Sequence, residues 1–279
     1  MNEFSKELQR KIDESISFIR RGEKLALALN SKGYWVAFSG GKDSQVLLDL
    51  VKWAGVKYKA VYNVTTNDPP ENVYFIRREY AEVEFLLPKK SFFKMVEEKG
   101  LPTMMRRYCC ERLKEHTGDG YVVLTGIRAD ESRKRSAYGA VMVRSRRKEH
   151  VERKEGYTLE GIMRAEHRCI KGKDKVMLYP LLEWTENDVW EYIKERNIPV
   201  NPCYELVERV GCMFCPFSTG GAIKKYEKLY PKYVELLLKS LQKYINKVGG
   251  TGYFDKAEDY YEWWKSKKSI KQWINSDGR

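Results

Sequence analysis

Apolar residues recur along this chain in two alternating patterns, short unbroken runs and stripes with helical spacing. The short runs are bounded by glycine or polar residues, as is typical of strands covered on both faces. Five strands are predicted, at 34–38, 58–64, 83–87, 121–124 and 176–181. The segments between them carry apolar residues three and four positions apart, which predicts helices. This alternation predicts an α/β fold: a doubly wound, mostly parallel five-stranded sheet with helices on both faces.

Capping residues place several helix boundaries. Asp68 and Thr185 each precede a helical stripe and have an acidic residue three positions later, which is typical of a capping box. Ser91 is expected to start a further helix that extends to about Lys99. After Pro216 the pattern contains only helices, predicted at 229–248 and 257–274. We therefore expect three parts, an N-terminal helix at 1–30, an α/β domain at 31–217 and a C-terminal helical extension at 218–279.

Composition narrows the class of protein. The 279 residues have a mean hydropathy of −0.61, and no apolar run approaches the about 18–20 residues of a membrane-spanning helix. We expect no membrane partner. The first thirty residues show no apolar signal region, so we expect a cytoplasmic protein. The 52 basic and 39 acidic residues give a net charge of +13, which favours polyanionic partners.

Much of the excess charge lies in one segment, a predicted basic insertion at about 128–175. It contains 15 basic and 8 acidic residues, more than half of the chain's excess. A basic cluster within it consists of Arg144, Arg146, Arg147 and Lys148. The segment favours a nucleic acid, tRNA or DNA, as partner, although the charges also fit a merely solvated surface.

Four of the six cysteines form two pairs, Cys109-Cys110 and Cys212-x-x-Cys215. A long chain without a secretory signal is expected to keep its thiols reduced, so ligation is a natural role for clustered cysteines. Four thiolates suit a 4Fe-4S cluster and equally suit tetrahedral zinc. Unliganded, buried cysteines are the third alternative. Cys203 is interpreted as a core residue, with a spare ligand or a sulfur-carrying nucleophile as the alternatives, and the role of Cys169 stays open. The three histidines show no ligand spacing.

A glycine-containing loop, SGGKDS at 39–44, lies between the first predicted strand and the helix after it. Two glycines allow the backbone to turn tightly and approach an anion. The helix that follows presents its N-terminal amides to that anion. Asp43 would repel a phosphate unless a cation lies between them, which implies Mg²⁺. The loop is not a Walker A motif, because Val36 and Asp43 occupy positions that need Gly and Ser or Thr. An ordinary strand-to-helix turn is the alternative.

The loop resembles the PP-loop of the adenine nucleotide α-hydrolase superfamily. Further segments sharpen the resemblance to the iron–sulfur branch of the phosphoadenosine phosphosulfate (PAPS) reductase-like family. They are TTNDPPE at 65–71, CCERLK at 109–114, TGIRADESRKR at 125–135, PLLEWTENDVWEYIKERNIPVNP at 180–202 and GCMFCPF at 211–217. The resemblance covers about 31–217, which is therefore expected to be a PP-loop adenine-nucleotide-binding domain.

The resemblance implies roles for individual residues. The nucleotide-binding set is Ser39, Gly40, Gly41, Lys42, Asp43, Ser44, Gly126 and Ser132. The catalytic set is Asp43, Arg128, Glu131 and Arg135. For the two arginines, a solvated surface charge is the alternative. The metal set is Cys109, Cys110, Cys212 and Cys215, which in the iron–sulfur branch bind one 4Fe-4S cluster, with zinc as the fallback.

The resemblance also implies a reaction. The chain is similar to tRNA thiolation enzymes and to the ATP pyrophosphatase subunit of DNA phosphorothioation systems. It is therefore expected to bind ATP and Mg²⁺, adenylylate an acceptor oxygen with release of pyrophosphate, and pass sulfur from a donor to that acceptor through the cluster. One alternative is a reductase of adenylyl sulfate or PAPS with a non-standard or partner thiol, because no cysteine follows Cys215 in this sequence. The other is a metal-stapled nucleic-acid-binding module without catalysis.

Overall fold

A six-stranded sheet forms the centre of the α/β part of the chain. The computed structural model describes residues 4–144, 158–164 and 175–277. The strands are β1 (Tyr34–Phe38), β2 (Tyr58–Asn63), β3 (Glu84–Leu86), β4 (Val122–Leu124), β5 (Val141–Arg144) and β6 (Lys175–Leu178). Their order is β3-β2-β1-β4-β6-β5, and every pairing except that of β5 with β6 is parallel. The predicted fold class is confirmed.

The predicted number of strands, five, is wrong by one. The sixth strand, β5, runs antiparallel to β6 and pairs Val141 with Leu178. It lies inside the segment that the sequence predicts as a basic insertion. Four residues at a sheet edge are too few to establish a periodic pattern, and the neighbouring charges obscure the two valines. Two stretches of that insertion, 145–157 and 165–174, lie outside the described residues, as do Arg146, Arg147 and Lys148 of the basic cluster.

Helices connect the strands and continue after the sheet. They are α1 (Lys6–Leu29), α2 (Lys42–Ala54), α3 (Pro70–Glu79), α4 (Phe92–Lys99), α5 (Tyr108–Cys110), α6 (Arg133–Ser136), α7 (Leu159–Arg164), α8 (Glu186–Glu195), α9 (Gly220–Leu229), α10 (Pro231–Lys247), α11 (Ala257–Ser266) and α12 (Ile270–Asp277). A short π-helical turn, Glu111–Glu115, continues α5. In the part of the chain that is described, no helix has the length and apolar character needed to cross a membrane.

Two of the three predicted N-caps are confirmed. Ser91 accepts a hydrogen bond from the Lys94 amide at the start of α4, and Thr185 forms a capping box with Asp188 at the start of α8. The third differs, because α3 begins at Pro70 and the Asp68 carboxylate accepts a hydrogen bond from the Thr65 amide at 2.7 Å. The Asp68 side chain therefore stabilises the loop before the helix.

The predicted helix at 229–248 corresponds to α10, and α9 precedes it as a helix that is not among those predicted, whereas the predicted helix at 257–274 is divided into α11 and α12. Pro231 has no amide hydrogen to continue α9, so it starts α10 instead. Lys267 ends α11 in a left-handed conformation with φ of +59°. The proline is visible in the sequence, whereas a lysine in this conformation gives no sequence signal.

The chain divides into two compact units, each built from separate segments. The first comprises 1–63, 72–86 and 117–202, and contains the sheet. Its core includes Trp35, Val61, Val123 and Met177 from four of the strands. The second comprises 64–71, 87–116 and 203–279. Its core is formed by α4 and the C-terminal helices, and includes Phe92, Met213, Phe214, Leu241 and Trp264.

Candidate functional site

In the first unit, the loop between β1 and α2 depends on glycine at two close approaches. Gly40 has a φ of +76°, and a Cβ at this position would lie 2.4 Å from Asn72 Oδ1. Gly126, which follows β4, passes so close to the start of α2 that a Cβ there would lie 2.7 Å from the Asp43 carbonyl oxygen. Both distances are shorter than a side chain tolerates. The two segments that the sequence predicts for nucleotide binding therefore meet, and glycine makes this possible.

Two buried asparagines hold the backbone carbonyls of this loop. Asn201 Nδ2 donates to the Gly40 carbonyl at 2.8 Å and to Asn72 Oδ1 at 2.7 Å. Asn72 Nδ2 donates to the Ser39 carbonyl at 3.2 Å. Neither asparagine belongs to the predicted nucleotide-binding or catalytic set. Asn201 lies in the quoted segment IPVNP, and this membership in a motif is the only signal that could have pointed to it.

The two predicted serines of the loop contact each other. Ser39 Oγ donates to Ser44 Oγ at 3.1 Å, and Ser44 Oγ donates to the Gly41 carbonyl at 2.8 Å. The first amides of a helix lack acceptors within the helix and carry a partial positive charge. No side chain caps α2 at Gly41. The loop and the first turn of α2 therefore offer backbone donors to an anion.

The charged residues of the loop have carboxylate or guanidinium partners in the same unit. Arg128 Nε donates to Asp43 Oδ1 at 2.6 Å, and Arg128 also contacts Asp130 at 3.3 Å. Because Arg128 is only 3% exposed, the alternative of a solvated surface charge is excluded for it. Lys42 is 7% exposed and lies 3.2 Å from the Glu186 carboxylate. The hydrogen bond from Lys42 lowers the pKa of Glu186.

The remaining predicted residues follow Arg128 along the chain. Glu131 and Arg135, four residues apart, form an ion pair. Ser132 caps α6 and its Oγ accepts a hydrogen bond from the Arg135 amide at 3.4 Å. These residues come after β4, which is paired in parallel with β1. Predicted site residues thus lie at the carboxyl ends of adjacent parallel strands, where doubly wound sheets bind ligands.

The four cysteines of the predicted metal set belong to the second unit. Cys109 and Cys110 end α5, while Cys212 and Cys215 lie in the loop before α9. Each of the four is partly buried, and none forms a disulfide. Electrostatic interactions connect Cys109 with Cys212 and Cys212 with Cys215. The pairs are a hundred residues apart in sequence, and the fold of one unit brings them near each other.

Neighbouring groups affect the ionisation of these thiols. A hydrogen bond from Cys109 lowers the pKa of Cys110 to about 6, while the pKa of Cys109 is raised because it keeps its proton in this bond. Burial raises the pKa of Cys212, while the nearby Lys114 favours its thiolate, and the pKa of Lys114 is raised by Cys212 in turn. Thr65 Oγ1 lies 3.5 Å from the Cys212 sulfur. The surroundings therefore favour a thiolate at Cys110 and a positive charge beside Cys212.

The chemistry of this donor set fits a thiolate-bound metal group. Four sulfur ligands satisfy a 4Fe-4S cluster or a zinc ion, and metal ligation requires deprotonated thiols such as that of Cys110. The side chains are near each other without being in ligand positions. Within 4–144, 158–164 and 175–277, no group of three or more His, Cys, Asp or Glu residues is arranged to hold a metal ion.

Comparison with protein families identifies the family. The family described as the phosphoadenosine phosphosulfate reductase domain matches residues 33–218, which is more than half of the chain. The chain belongs to this family. The match confirms the resemblance inferred from the motifs and coincides closely with the predicted range 31–217.

Individual proteins match this chain at low sequence identity or over a short range. An uncharacterized protein of Methanocaldococcus jannaschii is 28% identical over 241 residues, which are 81% of this chain and 45% of that protein. The chain thus spans about half the length of this relative. Sulfate adenylyltransferase subunit 2 of Geotalea uraniireducens is 37% identical over 70 residues, 23% of each chain. Among solved structures, FMN adenylyltransferase of Candida glabrata is 15% identical, with a TM-score of 0.47 over 74% of this chain and 62% of that one.

Proposed function

We propose that this member of the PAPS reductase domain family is an ATP-dependent enzyme that adenylylates an acceptor and then transfers sulfur to it. The loop between β1 and α2 carries the proposal, since its carbonyls are bound by asparagines and the opposite side of the loop presents backbone amides to phosphates. The short match to a sulfate adenylyltransferase subunit agrees with adenylyl chemistry. Family membership supports an enzyme.

In the first step, an oxygen of the acceptor attacks the α-phosphorus of ATP. The bond from that phosphorus to the oxygen bridging to the β-phosphate breaks, and pyrophosphate leaves. Asp43 would bind the Mg²⁺ that accompanies ATP, because Mg²⁺ is usually held by one or two carboxylates and the phosphates. Arg128 and Lys42 place two positive charges beside the loop, where negative charge develops during the reaction.

In the second step, a donor supplies sulfur at the oxidation level of sulfide. This sulfur attacks the activated carbon of the acceptor, the carbon–oxygen bond breaks, and AMP leaves with the oxygen. No net oxidation occurs. A 4Fe-4S cluster held by Cys109, Cys110, Cys212 and Cys215 would supply a site that binds sulfur, and zinc is the fallback occupant of these ligands.

Calorimetric titration with ATP in the presence of Mg²⁺ tests the nucleotide step. Asp43→Asn keeps the size of the side chain and removes its charge, so Mg²⁺-dependent binding should be lost. Asp49→Asn is a matched control, because Asp49 lies in the same helix and also pairs with an arginine, Arg196, at 2.9 Å. Equal ATP affinity in the Asp43 variant and the native protein would contradict the proposal.

Metal analysis tests the cysteine centre. Anaerobically prepared protein should be brown, with about four irons per chain and broad absorbance near about 400 nm. Serine at any one of the four cysteines should abolish the metal, whereas Cys169→Ser should not. Colourless protein with one zinc per chain would reject the cluster and leave zinc in its place.

A reductase of adenylyl sulfate or PAPS is the second candidate function, and the description of the matched family favours it. A reductase must form a sulfur–sulfur bond between substrate and a nucleophilic thiol. We place it second because the two cysteine pairs are assigned to the metal set, so that neither pair supplies this nucleophile in the proposal. Thioredoxin-dependent release of sulfite from either adenylyl sulfate, by the purified chain, would reverse this order.

A nucleic acid, tRNA or DNA, is the proposed acceptor-bearing partner, and the basic segment supports it. Phosphate contacts release counterions, so affinity falls with salt by a log–log slope of about 0.9 per contact on duplex DNA. Replacing the basic cluster (Arg144, Arg146, Arg147 and Lys148) by alanine should lower both the affinity and this slope, with ATP binding unchanged. Native protein that binds neither polymer at low salt would refute this partner.

A further inference from the structure

Asn201 and Asn72 are buried, and their side-chain amides form hydrogen bonds with each other and with carbonyls of the loop between β1 and α2. Asn201 is 0% exposed and Asn72 is 3% exposed. The Asn201 amide nitrogen donates both its protons, one to the Gly40 carbonyl and one to Asn72 Oδ1. Asn72 Nδ2 donates to the Ser39 carbonyl and to Tyr62 Oη, at 3.2 and 3.4 Å. Buried amides are costly unless they are paired in this way.

These hydrogen bonds determine which way two amides of the loop point. In a trans peptide, the carbonyl of one residue and the amide hydrogen of the next lie in one plane and point in opposite directions. No peptide bond of the described chain is cis. When the Ser39 and Gly40 carbonyls point to the asparagines, the amide hydrogens of Gly40 and Gly41 point away from them. The Gly40 amide is thus directed to the opposite side of the loop, and the Gly41 amide, which also points away from the asparagines, donates to Ser39 Oγ at 3.4 Å.

The packing around Gly40 leaves no space for a side chain at this position. A Cβ at this position would also lie 2.9 Å from two carbon atoms of Ile76, in addition to its approach to Asn72. The asparagines come from distant parts of the chain, 161 residues apart for Asn201 and Gly40. The loop and the two segments that contain the asparagines thus meet at two peptide groups, the one that follows Ser39 and the one that follows Gly40.

We propose that Asn201 and Asn72 are positioning residues that hold the Gly40 and Gly41 amides toward the phosphate chain of the nucleotide. The inference rests on the proposed function, because it takes the phosphates to bind at this loop, and it adds the residues that orient the loop. Donors fixed before binding do not have to be ordered when the ligand arrives, so they bind it more tightly. The effect should therefore depend on the phosphates and not on the nucleoside.

Asn201→Leu is the principal test, because it keeps a similar size, adds no charge and removes both donors. Isothermal titration would compare ATP with Mg²⁺, inorganic pyrophosphate and adenosine. ATP and pyrophosphate should bind about tenfold more weakly or worse, a factor comparable to the loss of one charge-assisted hydrogen bond. Adenosine should bind as it does to the native protein. Asn187→Leu makes the same change at an exposed position of α8 and should alter none of the three affinities.

Thermal unfolding of each variant separates positioning from folding. If Asn201→Leu does not fold, Asn72→Leu replaces it. Of the two loop carbonyls, only that of Ser39 loses its hydrogen-bond donor in this variant. Failure of both variants to fold would overturn the inference by showing that the asparagines hold the fold itself. A folded variant with native ATP affinity, or with equal losses for ATP and adenosine, would also overturn it. Native protein that does not bind ATP would instead contradict the proposed function.

Discussion

Alanine at Gly40 should be far more damaging than alanine at a glycine with a similar positive φ and free surroundings. Gly40 has a φ of +76° and Gly55 has a φ of +71°. A left-handed conformation costs a residue with a Cβ about 1–2 kcal/mol. A Cβ on Gly55 has nothing within 4 Å, so Gly55→Ala measures this backbone cost alone.

Gly40→Ala adds a steric cost to the same backbone cost. Its Cβ would lie 2.4 Å from Asn72 Oδ1, so Asn72 must move. That movement breaks the bond from Asn201 to Asn72 and disturbs the bonds to the Ser39 and Gly40 carbonyls. At about 1 kcal/mol for each hydrogen bond, the Gly40 variant should lose about 2–3 kcal/mol more than Gly55→Ala.

Urea denaturation of both variants, followed by circular dichroism, gives the two free energies of unfolding under one set of conditions. The slope against urea should be unchanged, so that the midpoints report stability. Gly40→Ala should also weaken ATP binding, whereas Gly55→Ala should not. Equal losses of stability in the two variants would refute the close packing of the loop against Asn72.

Three further predictions concern substitutions of single residues. Cys109→Ala removes the hydrogen bond that lowers the pKa of Cys110 to about 6, so the pH midpoint for alkylation of Cys110 in metal-free protein, measured by peptide mass spectrometry, should rise. Burial alone would raise the pKa of Asp188, but hydrogen bonds from Lys11 and the α8 capping box lower it below 3.8. The ionised Asp188 carboxylate therefore stabilises the fold fully above pH 3.8, and this stabilisation is lost as the pH falls through its lower pKa in the folded protein. The free energy of unfolding of Asp188→Asn, measured across this range, should depend less on pH than that of the native protein. Gly126→Ala should weaken ATP binding in calorimetry, because its Cβ would push the start of α2; unchanged affinity would contradict this close approach.

Local patterns account for the parts of the fold that the sequence predicts. The strand at 34–38 is a run of apolar residues that ends in glycine-containing turns, and Thr185 and Asp188 mark the start of α8 within four residues. Such signals depend on neighbours in sequence. The antiparallel strand β5 depends instead on β6, which pairs with it across more than thirty residues. Its four residues contain no comparable local signal.

In the candidate site, too, the sequence predicts the local pattern and not the contacts between residues distant in sequence. The loop at 39–44 is recognisable because its glycines, charge and following helix are contiguous. The contacts that shape it are not, since Arg128 reaches Asp43 across 85 residues and Asn201 reaches Asn72 across 129. The motifs include Arg128 without indicating that it is buried between carboxylates. An asparagine that binds a backbone carbonyl gives no pattern of its own in a single sequence.

The Cys212-x-x-Cys215 turn depends on helices that lie beyond the match to the family, which ends at 218. Phe214, between the two cysteines, packs edge-on against Tyr261 of α11, with ring centroids 6.4 Å apart. Lys267 donates to the carbonyl of Pro216 at 2.9 Å, directly after Cys215. The C-terminal helices also provide much of the core of the second unit. The position of these two thiols is therefore set by residues after the family domain, so that the family motif alone is not sufficient to define the cysteine centre.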